Sequence, residues 1–78
     1  MNSVEFGIII REIREKILNV SQEELASSVN SSQYLISRLE RGMTTIHTAF
    51  IVLDHLNKLK INTHMIFFQP FNFSYLTD

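Results

Sequence analysis

Apolar residues recur along the first third of the chain at helical spacing. Phe6, Ile9, Ile10, Ile13 and Ile17 stand at i, i+3, i+4, i+7 and i+11, which predicts an amphipathic helix over residues 4–18 with Ser3 as its cap. Arg11, Glu12, Arg14, Glu15 and Lys16 then fall opposite the stripe, where charged side chains are solvated; they are left out of the expected site. Ser21 followed by Glu24 has the spacing of a capping box and starts a second helix near Gln22. Leu25, Ala26 and Val29 form its narrow inward stripe, which stops at Asn30, a residue that tolerates left-handed backbone. Ser31 or Ser32 can cap a third helix with Ile36 and Leu39 inward, and Gly42 supplies its stop. After Met43-Thr44-Thr45 a fourth stripe follows, made of Ile46, Ala49, Phe50, Leu53 and Leu56. Thr44 or Thr45 can cap it, and Asn57 is an acceptable end.

The period changes at Leu59. Leu59, Ile61, Thr63, Met65 and Phe67 alternate with Lys60, Asn62, His64, Ile66 and Phe68, which predicts a strand. A lone strand leaves its backbone unpaired, and no earlier stretch reads as a partner. Pairing with the same strand of a second copy satisfies it across a two-fold axis; a hairpin with the tail, turning near Gln69-Pro70, is the alternative.

The second and third helices have the spacing of a helix–turn–helix. With Ile36 and Leu39 inward, the third helix exposes Ser32, Gln33 and Tyr34 in its first turn and Ser37 and Arg38 one turn later. In such motifs the second helix of the pair enters the major groove leading with its N-terminal residues. Glutamine can pair bidentately with adenine and arginine with guanine, so Gln33 and Arg38 are chemically suited to read bases. Thr44, Thr45 and Thr48 follow in the next connection, where they serve as caps or meet phosphate.

Seventy-eight residues make one domain near the lower size limit for a single core. There is no cysteine to staple it, so a partner chain would help. Net charge is −1 and the isoelectric point about 6.3, an unusual balance for a nucleic-acid binder. Five of the seven basic residues lie in the first 42 positions, accompanied by Glu5, Glu12, Glu15, Glu23, Glu24 and Glu40. The expected result is modest non-specific affinity with a shallow salt dependence, and specificity from a dimer summing two half-sites. No basic leader or apolar span of membrane length is present, so a cytoplasmic location is expected. His47, His55 and His64 match no zinc spacing, and only Gly7 and Gly42 exist to build a phosphate loop. No enzyme, cofactor or metal is expected.

Ser21-Gln22-x-x-Leu25-Ala26, the turn at Asn30, and Ile36-Ser37-Arg38-Leu39-Glu40-Arg41-Gly42 resemble the signature of the Cro/C1-type (XRE) helix–turn–helix family of phage-repressor-like DNA-binding domains. The resemblance covers about residues 6 to 56. It implies a bundle of four or five helices binding a two-fold operator as a dimer. It further implies that Gln22 grips phosphate, that Ser32, Gln33, Tyr34 and Ser37 touch bases or adjoining phosphates, and that Arg38 and Arg41 lie beside the backbone. Asn30 and Ser31 depart from the family's usual glycine and apolar residue at the turn. Thr44-Thr45-Ile46-x-Thr48-x-Phe50-x-x-Leu53-x-x-Leu56, with the alternating segment after it, is similar to the HipB branch. That similarity implies a dimer joined through Leu59, Ile61, Thr63, Met65 and Phe67, repression of a toxin–antitoxin operon, and a HipA-like serine/threonine kinase partner in one chain or split into two.

The expected fold is thus mainly α, a four- or five-helix domain over residues 1–57 with a dimerising β-strand and aromatic tail over 58–78. The tail holds five of the eight aromatic residues, a composition unsuited to remaining free in water. It packs on the domain or dimer, or Phe71, Phe73 and Tyr75 meet a partner. Two other readings stay open at this level: a helix–turn–helix fold used as a protein-interaction module, and a phage-type or pheromone-type regulator unconnected with a toxin.

Overall fold

The computed structural model describes residues 2–61. Four α-helices pack around one core, α1 (Ser3–Glu12), α2 (Gln22–Ser28), α3 (Gln33–Glu40) and α4 (Ile46–Lys58). The core is formed by Phe6, Ile9, Ile10 and Ile13 from the first segment, Leu25, Ala26 and Val29 from α2 and its end, Ile36 and Leu39 from α3, and Val52 and Leu56 from α4. The first three stripes read from the sequence deliver side chains to this interior, but the fourth is corrected: α4 is turned so that Thr48, Val52 and Leu56, at i, i+4 and i+8, are buried, while Ala49 and Leu53 are only partly covered and Ile46 and Phe50 are exposed.

Local chemistry explains the helix starts. Asn2, one residue earlier than the expected Ser3, caps α1 by accepting from the Glu5 N–H at 2.9 Å; its carboxamide oxygen does what a serine hydroxyl would. Ser21 and Glu24 complete the capping box in both directions at 3.0 Å. Ser32 and Thr45 cap α3 and α4 by accepting from the Leu35 and Thr48 N–H groups.

The helix ends share one device. Asn19, Asn30, Gly42 and Lys60 all take left-handed backbone, with φ of 54°, 54°, 84° and 67°. After each of them the next N–H closes back onto the helix: Val20 to the Arg14 carbonyl, Ser31 to Ala26, Met43 to Arg38 and Ile61 to Leu56. These bonds satisfy carbonyls that a helix end otherwise leaves unpaired. Asn30 thus makes the turn between α2 and α3 without the glycine that such turns favour.

Two further expectations need correction. The predicted single helix over residues 4–18 is α-helical only to Glu12 and continues as a wider π-helical turn, Ile13–Leu18. Ile13 and Arg14 are consecutive and both buried, and the π turn accompanies this. Arg14 is therefore an interior residue and not the solvated one that its place opposite the apolar stripe suggested. At the other end, α4 outruns Asn57, and Leu59 is its cap residue while Lys60 reverses the chain. Among the described residues there is no strand. Leu59 and Ile61 belong to a helix stop, because the 6→1 bond from Ile61 to Leu56 satisfies this backbone locally. Thr63, Met65 and Phe67, like Phe71, Phe73 and Tyr75, lie outside the described residues.

Gly7 sets the approach of α1 to α3. A β-carbon added there would overlap the Leu39 carbonyl oxygen and sit 2.7 Å from that of Glu40. Backbone atoms cannot swing aside, so Gly7→Ala must push the helices apart. We expect it to lower unfolding stability by about 1–3 kcal/mol despite alanine's better helix propensity. Urea denaturation checks this; an unchanged or raised midpoint would show that α1 and α3 can separate freely.

Candidate nucleic-acid interface

The exposed side of α3 carries the residues expected to meet DNA, and its first turn contains no acidic side chain. The positive end of the helix dipole is therefore not cancelled where a phosphate would approach. Ser32, Gln33 and Tyr34 are exposed there, with Tyr34 at 64%. Ser37 and Arg38 follow half-buried on the next turn. The Arg38 guanidinium stands 5.6 Å from the Tyr34 ring centroid, and its Nη1 donates a long 3.4 Å hydrogen bond to the Tyr34 hydroxyl. The two side chains are joined on the outer face by cation–π attraction. Arg41 is turned back, donating from Nε to the Ser37 carbonyl at 3.3 Å. Thr45 and Thr48 are engaged with each other in the α4 cap.

Behind this face lies a polar network that begins in the core. Glu40, the last residue of α3, has a side chain only 4% exposed, and that of Arg14 is 10% exposed. The pair is bidentate: Arg14 Nε donates to Glu40 Oε2 at 2.6 Å and Nη2 to Oε1 at 3.1 Å. Arg14 Nη1 donates to the Val20 carbonyl at 2.9 Å. A carboxylate at a helix C-terminus faces the negative end of the dipole, and Arg14 compensates it. Hydrogen bonding to Glu40 raises the Arg14 pKa, against the lowering effect of burial. The guanidinium thus stays charged at any pH a cell presents.

Gln22 connects this pair to the surface. Its Nε2 donates to Glu40 Oε1 at 2.9 Å, and its Oε1 accepts from Gln33 Nε2 at 3.4 Å. The direction of this relay follows from donor and acceptor inventories. An ionised carboxylate only accepts, so Gln22 must turn its amino group inward and its oxygen toward Gln33. Gln33 must then present its amino group to Gln22. One Nε2 hydrogen and the Oε1 of Gln33 remain for a base edge, the pair that adenine N7 and N6 require. One Nε2 hydrogen of Gln22 remains for a phosphate oxygen.

A family model described as helix-turn-helix matches residues 10–61, two thirds of the chain, from within α1 through the end of α4. The chain belongs to the XRE-type helix–turn–helix family. Membership places it among DNA-binding transcription regulators, a family without enzymatic activity. No curated protein and no solved structure gives a significant match.

The helix–turn–helix domain brings Gln22 and Gln33 together, and Tyr34 with Arg38, two pairings that the sequence reading did not name. Arg14 and Glu40 were missed as contributors. Their signal was present only as an arginine and a glutamate at positions 14 and 40, with nothing local to pair them. Among the described residues no group of three or more histidine, aspartate or glutamate side chains is placed to hold a metal ion. None of the helices there is long and apolar enough to cross a membrane.

Proposed function

We propose that this helix–turn–helix protein is a sequence-specific, dimeric transcriptional repressor acting on its own operon, in the manner of a HipB-like antitoxin whose partner is a HipA-like serine/threonine kinase. The observation that carries the DNA reading is the relay from Glu40 through Gln22 to Gln33. It spends the Gln22 amide on Glu40 and Gln33, and leaves the rest of the Gln33 amide for a base edge at the acid-free N-terminus of α3.

In the proposed complex Gln33 reads adenine, and Arg38, steadied on Tyr34, reaches a neighbouring guanine or phosphate. Ser32 keeps its hydroxyl hydrogen for a phosphate while its oxygen serves the cap, and Gln22 holds the backbone from the start of α2. Ser37 and Arg41 adjoin the phosphates at the far end of the helix. Contacts to phosphate set the register, and contacts to base edges carry the sequence information. Dimerisation beyond the α4 stop, through the segment holding Thr63, Met65 and Phe67, supplies the two-fold match to an operator. The toxin partner rests on resemblance of residues 44–56 and the alternating segment to the HipB branch.

The test is fluorescence anisotropy with duplex DNA from upstream of the chain's own reading frame, beside a scrambled duplex, across a salt series. Saturable binding of two chains to the upstream duplex, at salt that releases the scrambled one, is the expected result. Absence of binding to either duplex would reassign the α3 face to a protein partner, the reading that the net charge of −1 favours.

A further inference from the structure

One face of α4 serves neither the core nor the DNA interface. Ile46, Phe50, Leu53 and Asn57 stand on it at i, i+4, i+7 and i+11, the alternation of four and three that a seam between two helices uses. Ile46 and Phe50 are 77% and 68% exposed, and the buried Val52 and Leu56 lie on a different side of the helix. The four residues line a groove of about 610 Å³ between α4 and the start of α1, with Thr44, Thr45 and Asp54 among its polar walls.

We propose that this face is a contact between two copies of the chain, with their α4 helices packed antiparallel about a two-fold axis that passes between Phe50 and Leu53. The inference rests on the dimeric reading above and places a contact of that dimer within residues 46–57.

A two-fold contact must be complementary to itself. Only one antiparallel alignment sets each of the four seam residues against another of the four: Ile46 against the partner's Asn57, and Phe50 against the partner's Leu53. The polar ends then meet as well. Asn57 comes beside the partner's Thr44 and the partner's Thr45, which keep its amide hydrogen-bonded at the rim. Sliding one helix inward by a turn would set that amide against the partner's Phe50 without a hydrogen-bond partner. A single asparagine in an apolar seam fixes register in this way.

The flanks match too. His47 and Asp54 are two turns apart on one side of the seam. The alignment leaves His47 only about 3 Å along the axis from the partner's Asp54, a nitrogen donor beside a carboxylate. Each helix N-terminus lies by the C-terminus of the other, so the macrodipoles attract. Residues 61–77 contain no lysine, arginine, aspartate or glutamate, so that stretch brings no fixed charge to the groove, whereas a second α4 complements it along its whole length. The area is that of a modest dimer. Ile46 and Phe50 of both copies withdraw on the order of 500 Å² of apolar surface from water. Leu53 and the polar flanks carry the contact toward the roughly 1,200 Å² at which specific interfaces begin.

The test follows the full chain by analytical ultracentrifugation. The wild type sediments as a dimer, and Phe50→Lys, which sets a charge from each copy in the seam, raises the dimer dissociation constant by about 30-fold or more with the helical circular dichroism retained. A monomeric wild type would remove both this contact and the dimeric reading. A dimer indifferent to Phe50→Lys would remove this contact alone. The chain has no cysteine, so single cysteines test the alignment independently. In a mixture of Ile46→Cys and Asn57→Cys chains, a bismaleimide long enough for the about 8–10 Å between packed helix axes joins position 46 to position 57. The two copies of position 46 lie about 16 Å apart along the axis and are not joined. Products linking 46 to 46 or 57 to 57, or no product, would overturn the antiparallel seam.

Discussion

Glu40→Ala destabilises the domain by about 3–5 kcal/mol, the cost of leaving a buried charge without its partner. The substitution strands the Arg14 guanidinium, whose Nε and Nη2 both donate to that carboxylate. In a chain of 78 residues, where total stability is on the order of 5 kcal/mol, most of the margin disappears. Chemical denaturation followed by circular dichroism measures it, and a loss below about 1 kcal/mol would mean that Arg14 finds water instead. The paired variant Arg14→Met with Glu40→Leu separates two roles. Apolar side chains of similar size remove both charges together, so stability returns to near the wild-type value. The Gln22 amide has then lost its acceptor and no longer has an imposed direction. Operator affinity therefore stays reduced in the refolded double variant. Recovery of full affinity along with stability would show that Glu40 serves the fold alone.

Gln33→Ala weakens operator binding by about 1–3 kcal/mol per half-site, roughly 5- to 150-fold, and that factor is squared in a dimer occupying both halves. Gln33 is exposed and stands at the first position of α3, so the fold changes by no more than about 0.5 kcal/mol. Affinity for a scrambled duplex remains as it was, because the lost contacts are to a base edge. Gln22→Ala gives the opposite pattern, with specific and non-specific binding weakened together through a lost phosphate contact. Anisotropy titrations of both variants on both duplexes make the comparison. A Gln33→Ala protein that binds the operator as the wild type does would remove Gln33 from the base-reading set.

Local rules worked where the deciding atoms sit within one helical turn of each other. The capping box at Ser21 and Glu24, the caps at Ser32 and Thr45 and the left-handed stops at Asn30 and Gly42 all close over three to five residues. The exposed face of α3 followed from the two inward residues Ile36 and Leu39. The same reasoning misplaced the end of α4. It chose Asn57 on residue type, whereas the chain reverses at Lys60, which carries the steric penalty of a left-handed β-carbon. The alternating pattern from Leu59 did not reveal that the helix consumes its first residues.

The sequence by itself determined the helix boundaries at Ser21, Asn30 and Gly42, the apolar stripes of the first three helices, and the set of polar side chains turned outward on α3. Helical periodicity and capping depend only on near neighbours, which the order of residues contains in full. Only the tertiary structure decided that Arg14 is interior, that Gly7 must lack a side chain, and which way the Gln22 and Gln33 amides point. Arg14 and Glu40 are 26 positions apart, and Gln22 is 18 from Glu40. No local spacing encodes such pairs. Burial brings them together, and in a water-poor interior an acceptor-only carboxylate then dictates the orientation of every donor in line behind it.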